Sequence, residues 1–84
     1  MQNTPTRTVF SEITDFLSTN PTPEAIIVYQ LPDDQQDRAE ELLDLNGEGA
    51  LSPEQYDEMM DYVRVDEMMS LLKAKMKLKL KKQG

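Results

Sequence analysis

Cysteine, histidine and tryptophan are all missing from this 84-residue chain. Without cysteine there is no disulfide framework and no thiolate metal site, and nothing ties the chain to an oxidising compartment. The further lack of histidine removes the other common zinc ligand and the commonest general base, and with them most small-enzyme and zinc-module chemistries. Long apolar runs are lacking too. Eighteen apolar residues never occur together, and MQNTPTRTVF has neither the positive start nor the apolar core of a signal peptide. A cytoplasmic protein that does not enter a membrane is the expectation.

What is present is charge, and it is segregated. Residues 1–70 hold all sixteen carboxylates against Arg7, Arg38 and Arg64, a formal charge of about −13. Residues 71–84, LLKAKMKLKLKKQG, hold six lysines and no acid. Such an asymmetry is an interaction device. The acidic body would repel a phosphate backbone, so only the tail has the charge to touch nucleic acid. A single fold of this length buries only about 60–65 % of the surface its unfolded chain exposes, which leaves room for a partner to supply stability.

The residue pattern predicts an all-α protein: short N-terminal helices, then a helical hairpin with a long C-terminal helix. Residues 1–8 read as a disordered lead-in, 9–72 as a helical domain, and 73–84 as a basic tail that continues the last helix or is flexible. Phe10, Ile13, Phe16 and Leu17 recur at helical spacing, with Thr8 or Ser11 placed to cap them. Thr22-Pro23-Glu24 starts a second helix. The run AIIVYQL that follows is ambiguous between one or two helical turns, the preferred reading, and a short strand. Pro32 opens a third helix with Ala39, Leu42, Leu43 and Gln35 or Gln36 on its buried stripe, ended by Gly47 or Gly49 in the left-handed conformation. Ser52-Pro53-Glu54-Gln55 is a capping box, the strongest helix start in the chain. From it the pattern runs to about residue 79, with Tyr56, Met59, Met60, Val63, Met68, Leu71, Leu72 and Met76 as its apolar face. The strict alternation of MKLKLK, residues 76–81, is in contrast a strand signature.

Three features invite a chemical reading. The segment DLNGEGALSPEQ resembles an EF-hand calcium loop, with Asp44, Asn46, Glu48 and Ser52 as candidate metal ligands and Gly49 at the turn. Its twelfth position is Gln55 where the loop needs a bidentate glutamate, so calcium is expected to bind weakly, and a plain helix–turn–helix explains the segment better. Acidic pairs such as Asp33 with Asp37, or Glu54 with Asp57 and Glu58, arise by chance among so many carboxylates. No base, nucleophile or enclosing pocket accompanies them, so neither catalysis nor a cofactor is expected.

The third feature is the tail. Lysines at every second position scatter around a helix, which does not make a membrane-facing surface, and the tail lacks the arginines and aromatics that read bases. Its mixture of apolar and cationic side chains suits the groove of another protein, with Met68, Met69, Leu72, Lys73, Lys75, Met76, Lys77, Leu78, Lys79 and Leu80 as the partner-binding candidates. The methionines of this helix serve equally for core packing or for pairing with a second copy.

The stretches FLSTNPTPEAIIVYQLPDD, QDRAEELLDLNGEGALSPEQYDEM and MMSLLKAKMKLKL resemble a widespread family of small acidic helical proteins of cyanobacteria and other bacteria. The shared pattern falls at residues 21–24, Arg38, residues 49–54 and residues 71–74. The resemblance implies an antitoxin or accessory partner of a two-gene module, acting on another protein such as a toxin or nuclease. The tail departs from that pattern, carrying lysine with leucine and methionine where the family has arginine with alanine. Lysine makes no bidentate contact, which bears against nuclease blocking by the tail itself.

The expected function is therefore a protein-binding module that engages a partner through its acidic helices and its basic-apolar tail. A weak calcium-responsive protein, and a DNA-binding antitoxin or repressor using the lysines, are the alternatives.

Overall fold

Short polar side chains and prolines set where each helix begins. In the computed structural model, which describes residues 8–83, Thr8 caps α1 (Val9–Ser18), its Oγ1 accepting the Ser11 N–H at 3.1 Å. Residues 1–7, most of the expected lead-in, lie outside the described residues. Thr22 caps α2 (Pro23–Ile27) in the same way, accepting the Ala25 N–H at 3.1 Å, and Pro23 takes the first helical position. Pro32 stands just outside α3 (Asp33–Gly47), so Asp33 and Asp34 fill the first turn, where carboxylates meet the positive end of the helix. The capping box forms at α4 (Pro53–Gln83): the Gln55 N–H donates to Ser52 Oγ at 3.1 Å and the Ser52 N–H donates to Gln55 Oε1 at 2.9 Å.

The α3–α4 turn uses one of its two glycines as a stop. The Ala50 N–H donates to the Leu45 carbonyl at 2.9 Å and the Gly49 N–H to that of Asn46 at 3.0 Å, a closure that needs a left-handed residue. Gly49 supplies it with φ +70°, while Gly47 remains helical.

The fold is all-α, with no strand among the described residues. AIIVYQL forms the single turn of α2, initiated by Thr22 and Pro23 and ending at Ile27, and an irregular link that runs to Pro32. MKLKLK is helical as well. Once α4 is nucleated upstream, each further residue costs only propagation, and Lys, Leu, Met and Ala all propagate well.

At 31 residues, α4 extends about 46 Å, nearly the whole 48 Å long axis of the molecule. α1, α2 and α3 each pack on it and make little contact with one another. Val9 and Ile13 of α1 meet Val65 and Met69 of α4, with Leu17, Tyr29, Leu31, Tyr62 and Leu72 packed around them. Phe16 stacks on Tyr29 with ring centroids 4.1 Å apart, tying α1 to the link after α2. Leu42 of α3 and Met59 in the N-terminal half of α4 are buried as well, and Ile26 is the buried residue of α2.

The buried stripes correct the expected ones in detail. Val9 is buried where Phe10 was expected, and on α3 the stripe is Gln35, Arg38 and Leu42, with Leu43 exposed. On α4 it is Met59, Val65 and Met69, while Tyr56, Met68 and Leu71 face outward. Apolar residues occur nearly all round α4, so periodicity alone does not choose a face; the side chains of α1 and α3 do. Among the described residues, no helix is long and apolar enough to cross a membrane.

Leu42 is 0 % exposed, and Leu42→Ala is expected to lower stability by about 2–5 kcal/mol. Ser52→Ala, which removes only a cap, should cost about 1 kcal/mol. Urea denaturation followed by helix ellipticity separates them, and equal losses would contradict the packing described.

Candidate functional site

The polar seam between α3 and α4 is the most elaborate side-chain arrangement in the molecule. Arg38 lies at the centre of the α3 stripe, 2 % exposed, and reaches Glu58 of α4 with both ends of its fork: Nε to Oε2 and Nη2 to Oε1, each at 2.8 Å. Its Nη1 donates to Glu41 Oε1 at 2.6 Å. One turn along α4, the Tyr62 hydroxyl donates to Oε1 of the buried Gln35. Among the described residues, no buried side-chain nitrogen or oxygen lacks a partner.

The local electrostatics follow from that geometry. The hydrogen bonds that Arg38 donates to Glu58 hold its guanidinium charged, raising its pKa against the opposing cost of burial, with the charges of Glu58 and Glu41 adding attraction. Burial, reinforced by the negative charge of Glu58, pushes the Tyr62 hydroxyl up to about 12, and the Arg38 charge opposes this only in part. The seam therefore holds one cation and one neutral phenol in fixed positions, and it clamps α3 to α4.

The candidate calcium ligands are placed by helix ends. Asp44 and Asn46 fall in the last turn of α3, Glu48 is its C-terminal cap, and Ser52 is the N-cap of α4. Their surroundings are committed to capping: the carbonyls of Asp44, Leu45 and Asn46 accept from Glu48, Ala50 and Gly49. Among the described residues, no group of three or more acidic side chains is placed to hold a metal ion.

The candidate partner-binding residues divide into two sets. Met69 belongs to the core and Leu72 packs against it. Lys73 lays its stem along the body and donates from Nζ to the Tyr29 carbonyl at 2.8 Å. These three hold α4 to the rest of the molecule. Met76 and Leu80 are partly buried. Met68, Lys75, Lys77, Leu78 and Lys79 are exposed, and Lys75, Leu78, Lys79 and Lys82 outline a shallow depression of about 260 Å³.

Two features were not anticipated from the residues alone. One is the Arg38–Glu58 pair. Arg38 stands three residues after Gln35 and four before Leu42, a helical spacing that puts it on the buried stripe, a place that charged side chains rarely take. The other is a mainly apolar groove of about 380 Å³ between α3 and α4, bordered by Leu31, Ala39, Leu43, Met59, Tyr62 and Val63. No single segment encodes it, because its walls come from the link before α3, from α3 and from α4. Comparison with family models, curated proteins and solved structures gives no match to this chain.

Glu58→Ala leaves the buried guanidinium with only Glu41 and is expected to cost about 3 kcal/mol. Arg38→Met should cost less, because the Glu58 left behind is 30 % exposed and can hydrate. The reverse order in chemical denaturation would contradict the burial assigned to Arg38. The Tyr62 pKa is raised above its unfolded value near 10, so its contribution is complete below pH 10 and is lost as pH rises toward about 12. Tyr62→Phe should flatten that alkaline loss of stability, measured as melting temperature from pH 9 to 12. An unchanged slope would place the phenol in solvent.

Proposed function

We propose that this chain is a small protein-binding module, an antitoxin-like protein or accessory inhibitor, that holds a partner protein through its acidic helices and the exposed lysine-rich end of α4. The observation carrying this reading is the arrangement of charge along α4. Acidic side chains reach Glu67, and past the anchoring Lys73 the exposed residues include Lys75, Lys77, Leu78, Lys79, Lys81 and Lys82 and no acid. A helix end that presents cations on several sides with leucine among them offers both attraction for carboxylates and an apolar contact.

The partner this chemistry fits is a protein with both signs of charge near its active surface. Carboxylates of the acidic helices occupy a basic groove where nucleic-acid phosphates would otherwise lie. The α4 end then meets acidic residues at the groove's margin. The resemblance to small two-gene-module proteins agrees with such a role; the lysines, as point charges without bidentate contacts, leave the blocking of a basic groove to the acidic helices. On this reading the chain works in the cytoplasm without a cofactor and without catalysing a reaction.

The test is affinity isolation from the native cells, followed by light scattering and mass spectrometry of whatever co-elutes. The control is Lys75→Glu/Lys77→Glu/Lys79→Glu, which alters exposed charge and leaves Met69, Leu72 and Lys73 in place. A stoichiometric companion that the wild type retains and the triple variant loses is the expected result. No companion, or one held equally by both proteins, would contradict the proposal.

A further inference from the structure

The outer side of α4 bears an apolar stripe that the core does not use. Met68, Leu71 and Leu78 are 43, 59 and 53 % exposed. At 3.6 residues per turn, Leu71 and Leu78 fall on the opposite side of α4 from the buried Val65 and Met69. Their seven-residue separation keeps them on one line of the helix, the repeat by which two helices lie along each other.

Charge identifies what fits that line. Flanking the stripe, the N-terminal half of α4 carries Asp57, Asp61 and Glu67, with Arg64 partly offset by its 3.6 Å ion pair to Asp61. The C-terminal half carries Lys75 and Lys82 on the same side. Two copies laid parallel would stack acid on acid and lysine on lysine. Two copies laid antiparallel set each acidic half along the other's lysines, and the two-fold symmetry makes that match twice. Since the sign changes between Glu67 and Lys73, the symmetry axis falls close to Leu71.

We propose that a second copy of this chain docks antiparallel on the outer face of α4, with the two-fold axis near Leu71. This goes beyond the protein-binding reading above, since the occupant is a second copy and the surface is centred on Met68 and Leu71, although it shares Lys75, Leu78 and Lys82 with the end proposed for the partner. The apolar contribution is small and the charges lie at the surface, so salt weakens the pairing.

The chain has no cysteine of its own, so an introduced one reports position uniquely. Leu71→Cys and Leu78→Cys are both at exposed sites and should leave the helix content intact, checked by circular dichroism. With a short bis-maleimide linker, Leu71→Cys is expected to give covalent dimer. Leu78→Cys is expected to give none with itself, its two copies lying about 20 Å apart along the axis. A mixture of Arg64→Cys and Leu78→Cys should cross-link to each other. In sedimentation equilibrium of the uncross-linked protein, dimer association should fall by about tenfold or more between roughly 0.05 and 0.5 M salt, and likewise with Leu71→Asp.

A monomer at all concentrations, self-cross-linking of Leu78→Cys as efficient as that of Leu71→Cys, or a dimer indifferent to salt would each overturn the proposal. A monomer that still captures a companion through Lys75, Lys77 and Lys79 would overturn this pairing alone. A dimer with no companion would uphold the pairing and remove the protein-binding function.

Discussion

One helix is longer than the core that the other three can build on it, and most of the molecule's properties descend from that mismatch. α1, α2 and α3 pack along α4 and barely on each other, so each short helix depends on α4 for its buried side. Helices of five to fifteen residues are marginal alone in water. Caps at Thr8 and Thr22 lower the cost of starting α1 and α2, but burial against α4 is what holds the short helices: Val9 and Ile13 of α1 meet Val65 and Met69, and Arg38 of α3 is clamped to Glu58. In return, Lys73 and Leu72 are the last strongly anchored residues of α4, and the lysine-rich remainder continues as a rigid extension of an already nucleated helix.

Charge follows the same axis. Glu54 opens α4 and Lys81 and Lys82 close it, so both ends complement the helix dipole. That local preference, repeated over many residues, also produces a long-range separation of sign that a compact body would cancel. Within the body the opposite strategy operates: Arg38 is withdrawn from water and given three charge-assisted hydrogen bonds. A buried ion pair is a poor source of net stability, but misaligned packings of α3 on α4 would strand a guanidinium.

Much of this was legible in the residues. Helix starts were clearest, because a capping hydroxyl, a proline and a carboxylate act within four residues of one another, as in Thr22-Pro23-Glu24 and Ser52 to Gln55. The stop at Gly49 was legible as a glycine turn, although which of two glycines turns left-handed depends on the bond from Ala50 to Leu45. Faces were harder. Met68 and Met69 are neighbours in the sequence, yet one faces out and the other lies in the core, and nothing local distinguishes them. Of the tail candidates, Lys73 is the instructive case: its ammonium belongs to the fold because a carbonyl from a loop 44 residues earlier arrives beside it. The groove and the Arg38 seam were illegible for the same reason, being made by pairs of helices.

The account stands on α4 being one straight, continuous helix from its capping box through the lysines. The most direct measurement is the distance between spin labels introduced at Tyr56→Cys and Lys82→Cys, both exposed, in doubly labelled protein diluted into unlabelled protein. An unbroken helix predicts a single narrow distribution centred near about 40 Å. A broad distribution, or a main population below about 30 Å, would mean that α4 bends or unravels past the body, and the charge-segregated rod would be contradicted.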